Sequence, residues 1–119
     1  MNTFRAVAIF PQIPAENLEQ FCLVAEQLMA KINEQEFTLR YDIFFNADKT
    51  RCTVLEEFTR PEGVFEHVKE NSELIAQLSL LGGKIEGSVF PMSQDGQALQ
   101  EIRDNWDSKY HFHFLGKTH

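Results

Sequence analysis

The stretch that decides the fold is V-L-E-E-F-T-R-P-E-G-V-F-E-H, residues 54–67. This stretch is typical of the end of a strand at Phe58, followed by a turn and by a short helix that begins at Pro61. His67 follows Glu56 by eleven positions, so this junction sets an imidazole and a carboxylate among apolar neighbours. Ionisable groups in such surroundings are one way in which a small fold builds an acid–base site.

Around this junction the sequence predicts alternating strands and helices with short connections. Apolar residues at three- and four-residue steps predict a first helix over residues 15–33. N-A-D-K-T at residues 46–50 is rich in turn formers and predicts a hairpin. The five predicted strands are Phe4–Phe10, Thr38–Asn46, Arg51–Phe58, Lys84–Met92 and Lys109–Leu115.

Two further helices are predicted in the second half of the chain. Thr59 and Glu62 predict a capping box at the start of the second helix, and Gly82-Gly83 predicts its end. Asn71-Ser72 interrupts or recaps this helix. A third helix is predicted after Ser93, and its inner face is Ala98, Leu99, Ile102 and Trp106.

The order β-α-β-β-α-β is that of an α+β, ferredoxin-like fold, here with an extra C-terminal helix and strand. Both faces of the predicted sheet carry apolar residues, since Phe4 and Ala6 alternate with Val7 and Ile9 along the first strand. A sheet with one wet face should instead alternate strictly. We therefore predict a homodimer that closes two sheets on each other, and the terminal strand is a candidate for crossing between protomers.

Length and charge limit the function classes. A chain of 119 residues has room for one core, so residues 1–119 are predicted to form a single domain. The net charge of −7 argues against nucleic acid and anionic membranes as partners. No apolar run approaches the roughly 20 residues needed to span a bilayer. We expect a cytoplasmic protein in which Cys22 and Cys52 are reduced, buried thiols.

The pattern E-x-F-x(8)-H, formed by Glu56, Phe58 and His67 at a strand–helix junction, resembles the antibiotic biosynthesis monooxygenase family. That family comprises small dimeric α/β-barrel proteins and includes quinol monooxygenases. The similarity covers most of residues 4–105, including the L-R-Y-D strand. The terminal strand lies outside it.

The resemblance implies a cofactor-independent monooxygenase that acts on a small aromatic or quinol-like substrate with O₂. Such chemistry needs a base, an apolar cavity that excludes water, and donors that stabilise the developing anion. It implies His67 as the pocket base, with Glu56 orienting the imidazole or acting itself. Neither a cofactor nor a metal is expected. The expected substrate-binding walls are Tyr41, Phe44, Phe58 and Phe65.

Structural roles for the same residues stay open. His67 can be a hydrogen-bonded residue that braces its helix, and Glu56 can be a partner for His67 or Arg40. His111 and His113 share a strand face, as metal ligands can, but no Cys or carboxylate pattern completes a set. Haem-degrading proteins of similar architecture typically combine an asparagine on the first strand with a tryptophan and an axial histidine. The first strand here contains no asparagine, so haem degradation is disfavoured.

Two other functions compete with the monooxygenase. One is a non-catalytic dimeric module, ligand-binding or stress-associated, that uses the same cavity. The other is an isomerase or cyclase-like enzyme that transfers a proton on this scaffold. The fold alone does not choose among them, since related barrels host many functions.

Overall fold

The computed structural model describes residues 3–92, 96–105 and 107–117. A short 3₁₀ turn, Ala15–Asn17, precedes the first α-helix. The strands are β1 (Phe4–Phe10), β2 (Thr38–Phe45), β3 (Cys52–Phe58), β4 (Glu86–Phe90) and β5 (Lys109–Tyr110). The helices are α1 (Leu18–Ile32), α2 (Glu62–Gly82) and α3 (Gln97–Asn105).

The five strands form one sheet in the order β2-β3-β1-β4-β5. The first four pair antiparallel, and β5 runs parallel to β4. This is the ferredoxin-like arrangement that the sequence predicts, with the added helix and strand at the C-terminal end. The dimer is a separate matter, since the structure contains one chain.

Strand alternation places two apolar sets on opposite faces of the sheet. Phe4 and Phe10 of β1 are buried under the helices. On the other face, which we call the open face, Leu55 is 39% exposed and Phe44 is 52% exposed. The prediction that both faces carry apolar residues is therefore confirmed.

Gly63 allows the start of α2 to lie directly on β3. A Cβ atom at this position would be 2.9 Å from Cβ of Phe58, closer than side chains tolerate. The predicted capping box does not form, because the N-cap residue is Pro61 and makes no side-chain bond. Instead, the Gly63 N–H donates to the carbonyl of Arg60 and begins the first turn. At the other end, α2 stops as predicted, at Gly83 with φ 91°.

The terminal strand is shorter than the sequence predicts. The pattern at residues 109–115 predicts seven paired residues, but β5 ends at Tyr110. The His111 N–H still donates to the carbonyl of Val89. In a parallel ladder the next bond would require an N–H at Pro91, which proline lacks. Residues 111–117 therefore leave the sheet, with Phe112 66% exposed and Phe114 86% exposed.

The third helix has the predicted inner face, since Leu99 and Ile102 are buried. Ser93 and Trp106, which the sequence analysis also names, lie outside the described residues. None of the helices in the described ranges is long and apolar enough to cross a membrane.

Candidate functional site

The helix-covered side of the sheet contains two hydrophobic cores rather than one. The major core consists of Phe10, Ile13, Phe21, Val24, Ala25, Leu28, Ile32, Cys52, Val54 and Leu78. The minor core consists of Phe4, Phe58, Val89, Leu99 and Ile102.

Between these cores lies a group of four polar side chains, which we call the polar layer: Tyr41, Glu56, His67 and Asn71. Strand β3 shows the division, because Val54 belongs to the major core, Phe58 to the minor core, and Glu56 stands between them on the same face. The division continues on α2, where His67 and Asn71 lie between residues that pack on the minor core and residues that pack on the major core.

Glu56 supplies the carboxyl of this layer. It pairs with Ala6 of β1 on one side and with Tyr41 of β2 on the other. The side chain is half-buried, and burial raises the pKa of its carboxyl from 4.5 to about 8. Its carboxyl has no hydrogen bond to any described residue, so the predicted partnership with His67 or Arg40 does not form in this structure. Arg40 instead contacts Asp42 at 3.2 Å, on the open face.

His67 projects from α2 toward the sheet and is 4% exposed. Its ring centroid lies 5.1 Å from that of Tyr41 and 5.7 Å from that of Phe58. Burial lowers the pKa of the imidazole from 6.5 to about 4. His67 is therefore neutral at physiological pH.

Asn71 supports His67 from one turn further along the helix. Its side-chain Nδ2 lies 3.1 Å from Nδ1 of His67 and donates to the His67 carbonyl at 2.9 Å. Asn71 is fully buried, and its Oδ1 has no hydrogen-bond partner among the described residues. The backbone at this position leaves the helical region, with φ −119° and ψ 17°, which matches the predicted interruption at Asn71-Ser72.

Tyr41 supplies the phenol of the polar layer. Its pKa is raised above the usual value, first by burial and then by the neighbouring carboxyl of Glu56 and thiol of Cys52. The phenol therefore stays protonated and can donate a hydrogen bond across the physiological pH range.

The four predicted substrate walls are divided between different places. Tyr41 and Phe58 flank His67, and Phe65 packs on the minor core. Phe44 lies on the open face, on the other side of the sheet. Sequence alternation already separates Phe44 from Tyr41. The structure places Tyr41 and Phe58 beside His67, and Phe65 packs on the minor core.

The open face carries a cavity of about 570 Å³. His67 does not line it, and alternation implies that Ala6 and Glu56 contribute main-chain atoms there. Its described lining residues are Arg5, Ala6, Val7, Arg40, Leu55, Glu56, Glu57, Phe90, Pro91, Met92, His111, Phe112 and His113.

The two histidines of the C-terminal segment have separate environments. The ring of His111 stacks on that of Phe90, with centroids 4.4 Å apart and an interplanar angle of 11°. The ring of His113 lies over Gly116, where an added Cβ would be 3.0 Å from Nε2. Among the described residues, no group of three His, Cys, Asp or Glu side chains could hold a metal ion.

Comparison with solved structures identifies the fold. MupZ from Pseudomonas fluorescens matches all of this chain and 91% of its own, with a TM-score of 0.84 and 19% identity. SnoaB, a cofactor-independent oxygenase from Streptomyces nogalater, matches 82% of this chain and 98% of its own, with a TM-score of 0.65 and 14% identity. A crystal structure of an antibiotic biosynthesis monooxygenase matches 78% of this chain and 99% of its own, with a TM-score of 0.64 and 17% identity.

This chain therefore has the fold of the antibiotic biosynthesis monooxygenases, and the resemblance noted in the sequence is confirmed at the level of the fold. No protein-family model matches the chain, and no curated protein matches it in sequence. The likeness concerns architecture, since all three identities are below 25%.

Proposed function

We propose that this protein is a cofactor-independent monooxygenase that oxidises a small aromatic or quinol-like molecule with O₂. The observation that carries the proposal is Glu56, a half-buried carboxyl with a raised pKa and no hydrogen bond to any described residue. Groups whose pKa values are strongly perturbed cluster at functional sites. The structural likeness to SnoaB supports the oxygenase class.

Glu56 and His67 form the acid–base pair of this proposal, with Glu56 as the proton acceptor. A carboxylate whose pKa is about 8 is a far stronger base than an ordinary one, and it approaches the pKa of a phenol, about 10. His67 is a weaker base than its residue type suggests, because burial lowers its pKa to about 4. Its role is therefore to interact with the anion formed when Glu56 takes the substrate proton.

The oxygen step uses electrons of the substrate itself. For a phenol with a hydrogen on the para carbon, or a quinol with a hydrogen on a carbon next to a hydroxyl-bearing carbon, deprotonation gives an electron-rich anion, and the carbon that carries this hydrogen forms a bond to O₂. Cleavage of the O–O bond leaves one oxygen atom on carbon as the quinone carbonyl. The other oxygen leaves as water with the two hydrogens that the phenol loses, so one phenol and one O₂ give one quinone and one H₂O.

We infer that the substrate binds between the sheet and α2, next to the polar layer. The rings of Tyr41 and Phe58 provide flat apolar surface beside His67, Phe65 packs on the adjoining minor core, and the small side chain of Ala6 lies beside Glu56. An apolar enclosure strengthens electrostatic interactions and excludes water from the reactive anion. The phenol of Tyr41 is a second donor to that anion.

We also propose that the working form is a homodimer joined through the open face. Phe44 and Leu55 are large, substantially exposed apolar residues on that face. Residues 111–117, which carry Phe112 and Phe114 away from the sheet, add further exposed apolar surface. A second copy would cover these residues, and Phe44 would then be an interface residue rather than a substrate wall.

A non-catalytic ligand-binding module is the second candidate, and the open-face cavity favours it. Its volume of about 570 Å³ is within the range of small-molecule pockets, and its apolar lining is interrupted by polar side chains, namely Arg5, Arg40, Glu57, His111 and His113. In this reading the ligand binds away from His67 and leaves unchanged.

Isotopic oxygen separates the two candidates. The protein is incubated under ¹⁸O₂ with hydroquinones, naphthoquinols and anthrones, and the products are examined by mass spectrometry. The monooxygenase predicts one ¹⁸O atom in the product and the second in water. Binding of these molecules without any incorporation above the uncatalysed rate would favour the module instead.

A further inference from the structure

The contact between Asn71 and His67 determines which ring nitrogen carries the proton. The Asn71 side chain reaches back one helical turn at the point where α2 departs from helical geometry. There it contacts both the carbonyl and the imidazole of His67. Both contacts are made by the same atom, Nδ2 of Asn71.

The carbonyl fixes the orientation of the Asn71 amide. A backbone carbonyl only accepts hydrogen bonds, so the amide atom 2.9 Å from it must be the NH₂ nitrogen. The reversed amide would put two oxygens against each other. Since Nδ2 has two hydrogens, the second is available to Nδ1 of His67 at 3.1 Å.

The orientation of the amide then fixes the tautomer of His67. Nδ1 accepts from Asn71, so in the neutral imidazole the proton is on Nε2. Nε2 has no hydrogen bond to any described residue, and the ring lies between Tyr41 and Phe58, within the polar layer. This N–H is therefore available as a hydrogen-bond donor at the polar layer.

We propose that Asn71 is a positioning residue that holds His67 as the Nε2–H tautomer, so that His67 donates a hydrogen bond to the substrate anion while Glu56 takes the proton. This assignment rests on the proposed function and specifies the direction of proton transfer within it.

The unpaired Oδ1 of Asn71 supports a role beyond helix stability. A buried acceptor without a partner costs about 1–3 kcal/mol. An apolar side chain of similar size would avoid that cost at a fully buried position. The amide is useful here for its NH₂ group, which satisfies the His67 carbonyl and orients the imidazole.

The tautomer is measured directly by NMR on protein with ¹⁵N-labelled histidine, without any substrate. Long-range ¹H–¹⁵N correlations distinguish a protonated from an unprotonated ring nitrogen, and a spectrum of His67→Gln assigns His67 among the four histidines. We expect an unprotonated Nδ1 in the wild type. In Asn71→Asp the carboxylate can only accept, so the proton should move to Nδ1.

Asn71→Leu is a second variant in case the aspartate does not fold. It removes both bonds, and we expect it to give a mixture of tautomers. A proton on Nδ1 in the wild type would overturn the inference, and so would an unchanged Nε2–H tautomer in both variants.

The kinetic readout is O₂ uptake with the same quinols and anthrones. Loss of one donor to a developing anion lowers kcat by about 10²-fold or more, so Asn71→Asp should lose kcat with little change in KM. A changed tautomer with full kcat would overturn the donor role of His67. Absence of turnover in the wild type would contradict the proposed function alone, because the tautomer measurement stands without it.

Discussion

Tyr41 and Glu56 lie directly opposite each other on antiparallel strands, with both side chains on the helix-covered face of the sheet. Burial is the main cause of the raised pKa of the phenol, and the carboxylate of Glu56 raises it further because it disfavours a second negative charge beside it. The carboxyl itself is half-buried, and its pKa is raised to about 8 by burial. At neutral pH the pair is therefore mostly protonated, and a base is generated when Glu56 loses its proton.

Glu56 makes folding stability depend on pH in a specific direction. Its pKa rises from 4.5 in the unfolded chain to about 8 in the fold. The stability that the protonated carboxyl contributes is therefore fully present below pH 4.5 and is lost as the pH rises through 8. Glu56→Gln keeps the shape without the charge. In urea unfolding we expect it to match the wild type near pH 4.5 and to exceed it above pH 8 by a few kcal/mol, since each pKa unit corresponds to about 1.4 kcal/mol. A variant less stable than the wild type at pH 8 would mean that Glu56 is ionised and paired.

His67 gives the opposite dependence on pH. Its pKa falls from 6.5 to about 4 on folding, so the stability it contributes is present above pH 6.5 and is lost as the pH falls to 4. We expect the stability difference between wild type and His67→Gln to shrink over this interval in urea unfolding. A constant difference would indicate an imidazole that is solvated in the fold.

The burial of His67 also determines how its mutants are interpreted. His67→Ala should lower Tm by several degrees, because it removes a buried hydrogen bond worth about 1–3 kcal/mol and leaves a cavity beside Tyr41 and Phe58. Lost turnover in that variant would therefore not separate a catalytic from a structural role. The pH dependence and the tautomer do separate them.

At position 63 we expect glycine to give a more stable protein than alanine, the reverse of the usual order of helix propensity. Alanine is favoured over glycine within helices by about 1 kcal/mol, so Ala76→Gly, at an exposed position of α2, should cost roughly that amount. Gly63→Ala should nevertheless destabilise, by about 1–3 kcal/mol, because its Cβ would lie 2.9 Å from Cβ of Phe58. Urea unfolding measures both variants. An alanine at position 63 that stabilises the protein would show that α2 can move away from β3.

The proposed dimer is tested on the open face. Leu55→Arg places a charge at the centre of that face, and light scattering at micromolar concentration should show a dimer converted to a monomer. Leu80→Arg is the matched control, since Leu80 is 85% exposed on α2 and should leave the dimer intact. A wild type that is already monomeric at this concentration would contradict the dimer.

The sequence predicts much of the fold because its signals are local. The first strand, the hairpin, the two core-facing helices and the end of α2 at Gly83 follow from alternation, helical spacing and glycine placement. The length of β5 does not, because the residue that ends its ladder, Pro91, belongs to a different part of the chain. The capping box fails for a similar reason, since the Thr59 N–H donates to the carbonyl of Phe37 and Pro61 begins the helix.

The site is only partly predictable. Spacing places Glu56 and His67 near the same junction, and the structure adds that no hydrogen bond joins them. Asn71 is visible in the sequence as a helix interruption, but its contact with His67 depends on the rotation of α2 against the sheet. The two cores are separate because of how the five strands and three helices pack together, and local sequence patterns do not predict this packing.

The most direct test of the account is O₂ uptake by the metal-free protein with hydroquinones, naphthoquinols and anthrones, followed across pH. Wild type is compared with Glu56→Gln and with Glu66→Gln, an exposed glutamate of α2 that serves as the control. We predict uptake above the autoxidation rate that rises through pH 8, is lost in Glu56→Gln and is retained in Glu66→Gln. Uptake that is unchanged in Glu56→Gln, or that never exceeds autoxidation with any of these substrates, would contradict the proposed role of Glu56.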